Sequence, residues 1–524
     1  RPEWPLSLHC LMPPWFNTLS LHNCPSGTRR WDGKHYSYPF GNSVARSYLG
    51  GIPHAERSGA VGEGHAVDIL ALGAGDPRNL LQTMLSISQG LHNAPPMRIT
   101  LDDLAPAAMA RDILLIYMLA RTPEEGTDSS DNQRQEYIRA VVDAWYCIQT
   151  TKSRRDMVMS AVDTLLQYLA PPAPGDPDTL PTLDLLNDQR HGVLSFYSDA
   201  CREAVVAEMR HWQSRPLLLP REAQREMDAW KKNHVDNLWK SENKLYMNAV
   251  TTLCLTLVAD VFSRAPVKAM MAEMRLWYAK GALLNTGPLS ETGTGGQKVT
   301  LKFSFGAKGK GKGKGKGKGK NQGKRPRTKQ TNAPTAPPLV LNPLAFPSCT
   351  WPLTERDITT MICEGLVPLS VSQPERKAIL KSPHPMASLA EHSVGVWAEA
   401  LCGRGDHDPR PHLQHLQVCV NDALSVCEEM RRENRLFAYI DSSNLEDYTG
   451  ILPFLVHTVP LLRYGSESSG IQPGCVKVMS FEPVKRNTEY NYETKTGLPV
   501  HMMPTFLGCL PLTLHSPQDE GIVW

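Results

Sequence analysis

Residues 69–85, ILALGAGDPRNLLQTML, decide the fold of this chain. The segment 67–72 is an almost unbroken apolar run, which is typical of a strand buried in a parallel sheet. The glycine-rich loop 73–76 ends that run, and leucine and methionine then recur at helical spacing. Asp76 is a favourable N-cap residue, and Pro77 suits the first helical position. The stretch therefore predicts a strand, a tight turn and a helix.

The next segment repeats this pattern of strand and helix. Residues 97–101 read as a short strand that ends in Asp102 and Asp103, and Pro106 begins a second helix with an apolar face. A strand–helix–strand–helix order predicts parallel strands joined by right-handed crossovers. We therefore expect an α/β fold built on a parallel sheet.

A third apolar strand is predicted far along the chain, where 436–440 ends in Asp441. Asn444 is one of the residues that can cap a helix over 445–463, and a further strand is predicted over 475–481. In open α/β sheets, ligands bind outside the carboxyl ends of the strands, near the point where the strand order reverses. Three strands that end in polar residues therefore predict a binding site at that edge.

The residue types at these strand ends point to an adenosine cofactor. Glycines let the backbone approach a ligand closely, and an acid after the second strand can accept hydrogen bonds from two ribose hydroxyls. Arg78 stands where the dinucleotide motif has its third glycine, and the charge of Asp76 disfavours a pyrophosphate. S-adenosylmethionine carries no phosphate, so it is the cofactor that this loop permits. The candidate cofactor-binding residues are Gly73, Gly75, Asp76, Asp102, Asp103, Asp441 and Asn444.

No residue is assigned a catalytic or metal-binding role from the sequence. The chain contains no GxSxG motif, no HExxH motif and no CxxC pair. Its twelve cysteines are scattered over a chain far longer than a disulfide-stapled module, which favours reduced thiols and a cytoplasmic location. No uncharged apolar run of about 18 residues is found, so no membrane span is expected.

The sequence LALGAGD resembles the first motif of class I S-adenosylmethionine-dependent methyltransferases. A wider set of segments is similar to an uncharacterised family, the domain of unknown function 4470. That family resembles the N-terminal domain of dynein axonemal assembly factor three and also occurs beside MYND zinc fingers. The segments are YPFGNSVARSYL, VDILALGAGDPRNLLQTML, RITLDDLAPAAMARDILLIYML and AYIDSSNLEDYTGILPFLVHTVPLL. The resemblance covers about 35–125 and 430–465, and it implies a Rossmann-like, class I methyltransferase-like sheet with no established reaction.

The chain departs from an active methyltransferase at named positions. Ala71 replaces the acid that usually stands two residues before the first glycine, and Pro77 replaces a further glycine. No Asn/Asp-Pro-Pro-Tyr/Phe motif follows a later strand. The sequence therefore favours a non-enzymatic assembly or scaffold protein with protein partners, related by resemblance to cytoplasmic dynein-arm preassembly. A methyltransferase of unknown substrate is the alternative.

A second alternative, a nucleic-acid-associated protein, depends on a basic segment. Nine lysines and two arginines, with no acid, lie between Lys308 and Lys329. Residues 307–330 are predicted to contact nucleic acid or acidic surfaces without base specificity, although such charge runs are more often only solvated linkers.

The predicted organisation alternates sheet-forming and helical parts. Helical spacing also predicts helices over 190–213, 384–402 and 411–433. The predicted divisions are 1–60, an irregular segment; 61–133, the first half of the Rossmann-like domain; 134–297, a large helical insertion or subdomain; 298–306, a strand; 307–338, a disordered Lys-Gly linker; and 339–524, the second half with a C-terminal extension.

Overall fold

The computed structural model describes just under half of the chain. The described residues are 45–52, 66–90, 94–124, 128–169, 183–186, 191–218, 221, 222, 225, 269, 273, 282, 339–344, 378, 379, 381–442, 445, 451–464, 474–479, 513–516 and 519–523. They all belong to the unit formed by 1–284 and 339–524. The predicted strand 298–306, the predicted linker 307–338 and Asn444 lie outside the described residues.

Within the described residues, nine strands form one mixed and mostly parallel sheet in the order β10-β11-β9-β8-β1-β2-β7-β5-β4. The six strands from β9 to β5 run parallel, and the edge strands β4, β10 and β11 pair antiparallel with their neighbours. A separate two-stranded sheet pairs β3 with β6. The strands are β1 Val67–Leu72, β2 Met97–Asp102, β3 Gln149–Thr151, β4 Leu183–Asp184, β5 Val193–Phe196, β6 Leu339–Leu341, β7 Leu413–Cys419, β8 Tyr439–Asp441, β9 Cys475–Met479, β10 Thr513–Ser516 and β11 Asp519–Val523.

Eight α-helices with described bounds connect or cover these strands. They are α1 Arg78–Ser88, α2 Pro106–Leu119, α3 Asp128–Tyr146, α4 Lys152–Leu169, α5 Asp199–Ser214, α6 Pro385–Leu401, α7 Ala423–Arg432 and α8 Ile451–Thr458. Short 3-10 helices occupy Tyr48–Gly51, Arg410–His412 and Val459–Leu461.

The two faces of the sheet carry separate apolar clusters. On the first face, Ile69 and Ala71 of β1 pack with buried residues of α1, α2, α3 and α6. On the second face, Leu70 and Leu72 pack with buried residues of α7 and α8. Successive side chains of a strand point to opposite faces, so this alternation assigns each neighbouring position to a helix layer. The result is a sheet covered by helices on both sides.

The strand–turn–helix prediction for the opening stretch is confirmed, with one correction at the helix start. β1 spans the predicted residues 67–72, β2 follows at 97–102, and Pro106 opens α2. Pro77, however, occupies the N-cap position, and α1 begins one residue later, at Arg78. The Asp76 carboxylate still accepts a hydrogen bond from the amide of Arg78, the first helical residue, over 3.3 Å, and the same oxygen forms an ion pair with the Arg78 guanidinium over 2.7 Å.

The helix predictions over 411–433 and 190–213 are wrong in their first halves. Residues 413–419 form β7, which pairs with β2 on one side and β5 on the other. Residues 193–196 form β5, a strand within the segment predicted as a helical insertion. Backbone pairing with two neighbours outweighs the local helical spacing, because strand propensity depends strongly on tertiary context.

Candidate functional site

The predicted site lies where the strand order reverses. β1 has β2 on one side and β8 on the other, and all three strands run parallel. Leu72 pairs with Asp102, and Ala71 pairs with Asp441. The acids at the ends of β2 and β8 therefore flank the end of β1, as the sequence predicted.

The loop after β1 requires both of its glycines. Gly73 has φ +61° and Gly75 has φ +63°, a left-handed conformation that glycine adopts at little cost. A Cβ atom at Gly73 would lie 3.0 Å from the Leu445 side chain, whereas a Cβ atom at Gly75 would meet nothing closer than 3.8 Å. The Ala74 amide donates to the Asp102 carbonyl over 2.8 Å. The Leu445 side chain thus covers the loop at Gly73.

Asp103 ties this loop to the end of β2. Its carboxylate accepts hydrogen bonds from the Gly75 amide at 3.0 Å and from the Ala105 amide at 2.8 Å. Burial raises the pKa of Asp103, and these two hydrogen bonds and the Arg111 charge act in the opposite direction. The Asp103 carboxylate, which the sequence predicted to bind a cofactor, is therefore hydrogen-bonded to the protein's own backbone.

Asp76 directs its charge into the protein. Its Oδ1 atom lies 2.7 Å from Nε of Arg78, and the two side chains are 2% and 5% exposed. Arg111 donates from Nη2 to the Gly75 carbonyl over 2.9 Å, and the buried Asp112 follows it on α2. We call the loop 73–76, with the side chains of Arg78, Asp103, Arg111 and Asp112, the glycine corner.

The charges of the glycine corner shift one another's pKa values. Burial lowers the pKa of Arg111, while the nearby carboxylates favour its charged form. Burial raises the pKa of Asp112 well above its usual range, and Arg111 offsets part of that shift. A buried charge is tolerated when it is paired, so the arginines of this corner hold together an otherwise unfavourable group of acids.

Asp441 faces the first side of the sheet, toward α1. Its Oδ2 atom accepts a hydrogen bond from Nδ2 of Asn79 at 3.2 Å, and Oδ1 of Asn79 accepts from the Arg46 amide at 3.0 Å. Burial raises the pKa of Tyr48 and of Tyr439, and the Asp441 charge adds to both shifts. This carboxylate links β8, α1 and segment 45–52.

Asp102 faces the second side of the sheet, away from Asp441. The residue is 1% exposed, and neither carboxyl oxygen forms a hydrogen bond of ordinary geometry. Burial raises its pKa well above the usual range, and Asp103 adds to the shift. The nearby Asn421 amide and Cys419 thiol lower it in part. Among the predicted acids, Asp102 is the one left with little compensation.

The structure brings the predicted residues to one edge of the sheet but not to one pocket. Asp102 and Asp441 lie on opposite faces, while Asp76 and Asp103 bond within the glycine corner. Sequence reasoning missed Arg111 and Asp112. The available signal was the placing of two charges on the apolar face of the second helix, which is unusual unless they are paired.

A groove of about 360 Å³ opens on the second face, toward the beginnings of β2 and β7. Arg435 donates to Oε1 of Gln417 at 2.7 Å and to the Thr100 hydroxyl at 3.3 Å. The residues that line the groove are Asp68, Arg98, Ile99, Thr100, His415, Gln417, Arg435 and Leu436. The groove is polar and lies away from the predicted cofactor residues.

The described part of the chain contains neither a cluster of metal ligands nor a membrane-spanning helix. No three or more histidine, cysteine, aspartate or glutamate side chains are grouped there as metal ligands would be. None of the helices described has the length and apolar character needed to cross a membrane.

Residues 39–149 match the family model of a domain of unknown function (DUF4470). The match includes the whole glycine corner and ends before β7 and β8. No curated protein and no solved structure matches the chain at a significant level.

Proposed function

We propose that this chain is a non-enzymatic assembly or scaffold protein built on a methyltransferase-like fold. One observation carries the proposal: the polar groups predicted to bind a cofactor form hydrogen bonds and ion pairs within the protein. Asp76 pairs with Arg78, Asp103 accepts from two backbone amides, and Asp441 accepts from Asn79. A binding site needs polar groups that are free to meet a ligand.

The strand order supports the fold part of the proposal. Numbered in chain order without β5, the strands β1, β2, β7, β8 and β9 stand in the arrangement 3-2-1-4-5, which is the order of doubly wound nucleotide-binding sheets, and β5 adds a further parallel strand beyond β7. The hairpin β10–β11 follows with its last strand antiparallel and next to β9.

Three features beside the glycine corner support the absence of catalysis. Ala71 stands where those enzymes usually carry an acid, and Pro77 stands where they carry a glycine. The side chain of Leu445 lies over Gly73, where a cofactor would approach the backbone. Fold analogy alone does not assign a reaction, so the function has to be inferred from the residues of the site.

The assembly role rests on the sequence resemblance to the N-terminal domain of dynein axonemal assembly factor three. We propose protein partners and a cytoplasmic location, with dynein-arm preassembly as the role that the resemblance implies.

An S-adenosylmethionine-dependent methyltransferase is the second candidate, and Asp102 favours it. This carboxyl lies at the end of the second strand, where an acid binds ribose hydroxyls in related sheets, and its oxygens lack ordinary hydrogen bonds. The space beside Gly75 is also open, since a Cβ atom there would meet nothing closer than 3.8 Å.

Calorimetric titration with S-adenosylmethionine and S-adenosylhomocysteine separates the two candidates. The full chain is titrated to millimolar ligand beside Asp102→Asn, with Asp68→Asn as the control for loss of a carboxyl on the same face. We expect no saturable heat from any of the three proteins. Saturable binding that Asp102→Asn abolishes and Asp68→Asn retains would overturn the scaffold proposal.

The nucleic-acid alternative depends on 307–330, which lies outside the described residues. Deleting 307–330 should remove any salt-sensitive RNA binding of the full chain, since charge neutralisation makes such binding steeply dependent on salt. RNA binding that persists after the deletion would show that this segment is not its cause.

A further inference from the structure

The carboxyl ends of β5 and β7 bring two thiols together on the second face. Cys419 is the last residue of β7, and Cys201 lies in the first turn of α5. The Val420 amide, which follows Cys419 directly, donates to Sγ of Cys201 over 3.3 Å. Cys201 and Cys419 belong to the same buried cluster, and the Cys419 thiol lies close enough to shift the pKa of Cys201. We call Cys201, Cys419 and Asp102 the thiol corner.

The surroundings of Cys201 favour a thiolate. Besides the Val420 amide, the Ser198 hydroxyl donates to Sγ over 3.3 Å, and the N-terminus of α5 adds its positive dipole. The Cys419 thiol, Ser198 and Val420 together lower the pKa of Cys201 to about 5, although burial opposes them. Thiolates rather than thiols react with oxidants, so Cys201 is the reactive member of the pair.

The surroundings of Cys419 keep it protonated. Donation to Cys201 raises its pKa, and burial and the neighbouring Asp102 carboxyl raise it further. The residue is fully buried between β2 and α7. A stabilised thiolate beside a protonated thiol is the arrangement in which one cysteine is oxidised first and the other then resolves it.

Cys201 follows three surface residues in the chain, so a small oxidant has a short path to its sulfur. Cys201 is 5% exposed, but Ser198, Asp199 and Ala200, which precede it, are all exposed. Hydrogen peroxide is the size of a few atoms and needs no open pocket. The Ser198 hydroxyl that contacts the sulfur lies at this surface.

We propose that Cys201 and Cys419 form an oxidation-sensitive pair that hydrogen peroxide converts to a disulfide. The Cys201 thiolate attacks one peroxide oxygen, the O–O bond breaks, and the departing hydroxide takes up a proton as water. The sulfur of Cys419 then attacks the resulting sulfenic acid, the S–O bond breaks, and the proton of Cys419 leaves with that hydroxide as a second water. The two thiols lose two electrons, and the peroxide gains them.

The disulfide would join the first turn of α5 to the end of β7 beside Asp102. It would remove the Cys419 thiol as a donor to Cys201 and to Asp102. Oxidation therefore changes the electrostatics of the strand edge that also carries the glycine corner.

Peptide mass spectrometry of the full chain tests the proposal. Reduced protein is treated with hydrogen peroxide, remaining thiols are blocked under denaturing conditions, and the digest is examined with and without dithiothreitol. We expect a Cys201–Cys419 cross-linked peptide that dithiothreitol removes. If the native protein consumes peroxide and yields no such peptide, the proposal is wrong.

Three variants assign the roles of the cysteines. Cys201→Ser should abolish the cross-link, and Cys419→Ser should leave a sulfenic acid at Cys201 that dimedone traps. Cys427→Ser removes a third buried thiol of the same cluster and should leave the cross-link unchanged. Trapping at Cys419 in Cys201→Ser, at the rate seen at Cys201 in Cys419→Ser, would overturn the assigned order.

The alkylation rate gives a readout that needs no variant. At mildly acidic pH, iodoacetamide should modify Cys201 roughly tenfold faster than Cys402, because a larger thiolate fraction outweighs a weaker nucleophile. Burial raises the pKa of Cys402, which is nevertheless the more exposed residue. Faster modification of Cys402 would show that exposure, not thiolate character, governs reactivity.

Discussion

The glycine corner and the thiol corner lie at the same edge of one sheet, but their buried charged groups differ in how they are bonded. In the glycine corner, Asp76 and Asp103 have close cationic or amide partners, and Asp112, whose oxygens form no hydrogen bond, lies within the field of the Arg111 charge. In the thiol corner, the oxygens of the buried Asp102 lack ordinary hydrogen bonds, and the sulfur of Cys201 accepts hydrogen bonds from its neighbours. Buried polar groups with all their hydrogen bonds formed make a structure rigid, whereas buried groups without bonds cost stability. The comparison locates stability at the end of β1 and reactivity at the end of β7.

The largest expected effect comes from breaking the ion pair of the glycine corner. Arg78→Met takes from the buried Asp76 its ion-pair partner, and the free energy of unfolding should fall by about 3 to 5 kcal/mol. Urea denaturation followed by circular dichroism measures the loss.

The control for this experiment is an exposed pair. Arg98 and Asp68 lie 2.6 Å apart with 51% and 25% of their side chains exposed, so Arg98→Met should cost about 1 kcal/mol or less. Equal losses in the two variants would mean that the pair between Asp76 and Arg78 does not hold the glycine corner.

The thiol corner should show the opposite behaviour when its acid is neutralised. Burial raises the pKa of Asp102 in the folded protein, so its contribution to stability is fully present below the unfolded pKa of about 4. That contribution is lost as the pH rises toward the higher folded value. Asp102→Asn should therefore gain stability over the wild type by up to about 1.4 kcal/mol per pH unit above about pH 4.

Urea denaturation of both proteins from about pH 4 to about pH 8 measures this slope. Asp68→Asn, on the same face, controls for the loss of a carboxyl. An Asp102→Asn variant that is less stable than the wild type at every pH would mean that the charged carboxylate is well bonded after all.

The glycines of the loop offer a smaller and matched pair of effects. Gly73→Ala and Gly75→Ala should each cost about 1 to 2 kcal/mol, because both residues are left-handed. Gly73→Ala should cost about 1 kcal/mol more, since its Cβ meets Leu445 while the space beside Gly75 is open. Adding Leu445→Ala should remove that difference, as a double-mutant cycle in urea would show. An unchanged difference would contradict the contact.

The sequence predicted the parts of the fold that local patterns control. The run 67–72 could be bounded to the residue because its apolar character stops at Gly73, and Pro106 marked the start of α2. Residues 413–419 were missed because their apolar spacing fits a helix as well as a strand. Only their pairing with both β2 and β5 decides between the two.

The candidate site was predictable in position but not in bonding. Strand ends indicate which residues share an edge, and Asp102, Asp103 and Asp441 all lie there. Whether an acid bonds to a ligand or to the protein can depend on partners that are distant in sequence, such as Asn79 for Asp441. The meeting of Cys201 with β7 depends on the same distant pairing.

The smallest effect separates structural from chemical roles within the thiol corner. Ser198 caps α5 through the Cys201 amide and also donates to Sγ of Cys201, so Ser198→Ala should cost about 1 kcal/mol and slow alkylation of Cys201. Asp422 caps α7 through the Leu424 and Ser425 amides without contacting that sulfur. Asp422→Ala should cost a similar amount and leave the alkylation rate unchanged. If both variants slow alkylation equally, loosening of the strand edge, rather than the hydroxyl bond, sets the reactivity of Cys201.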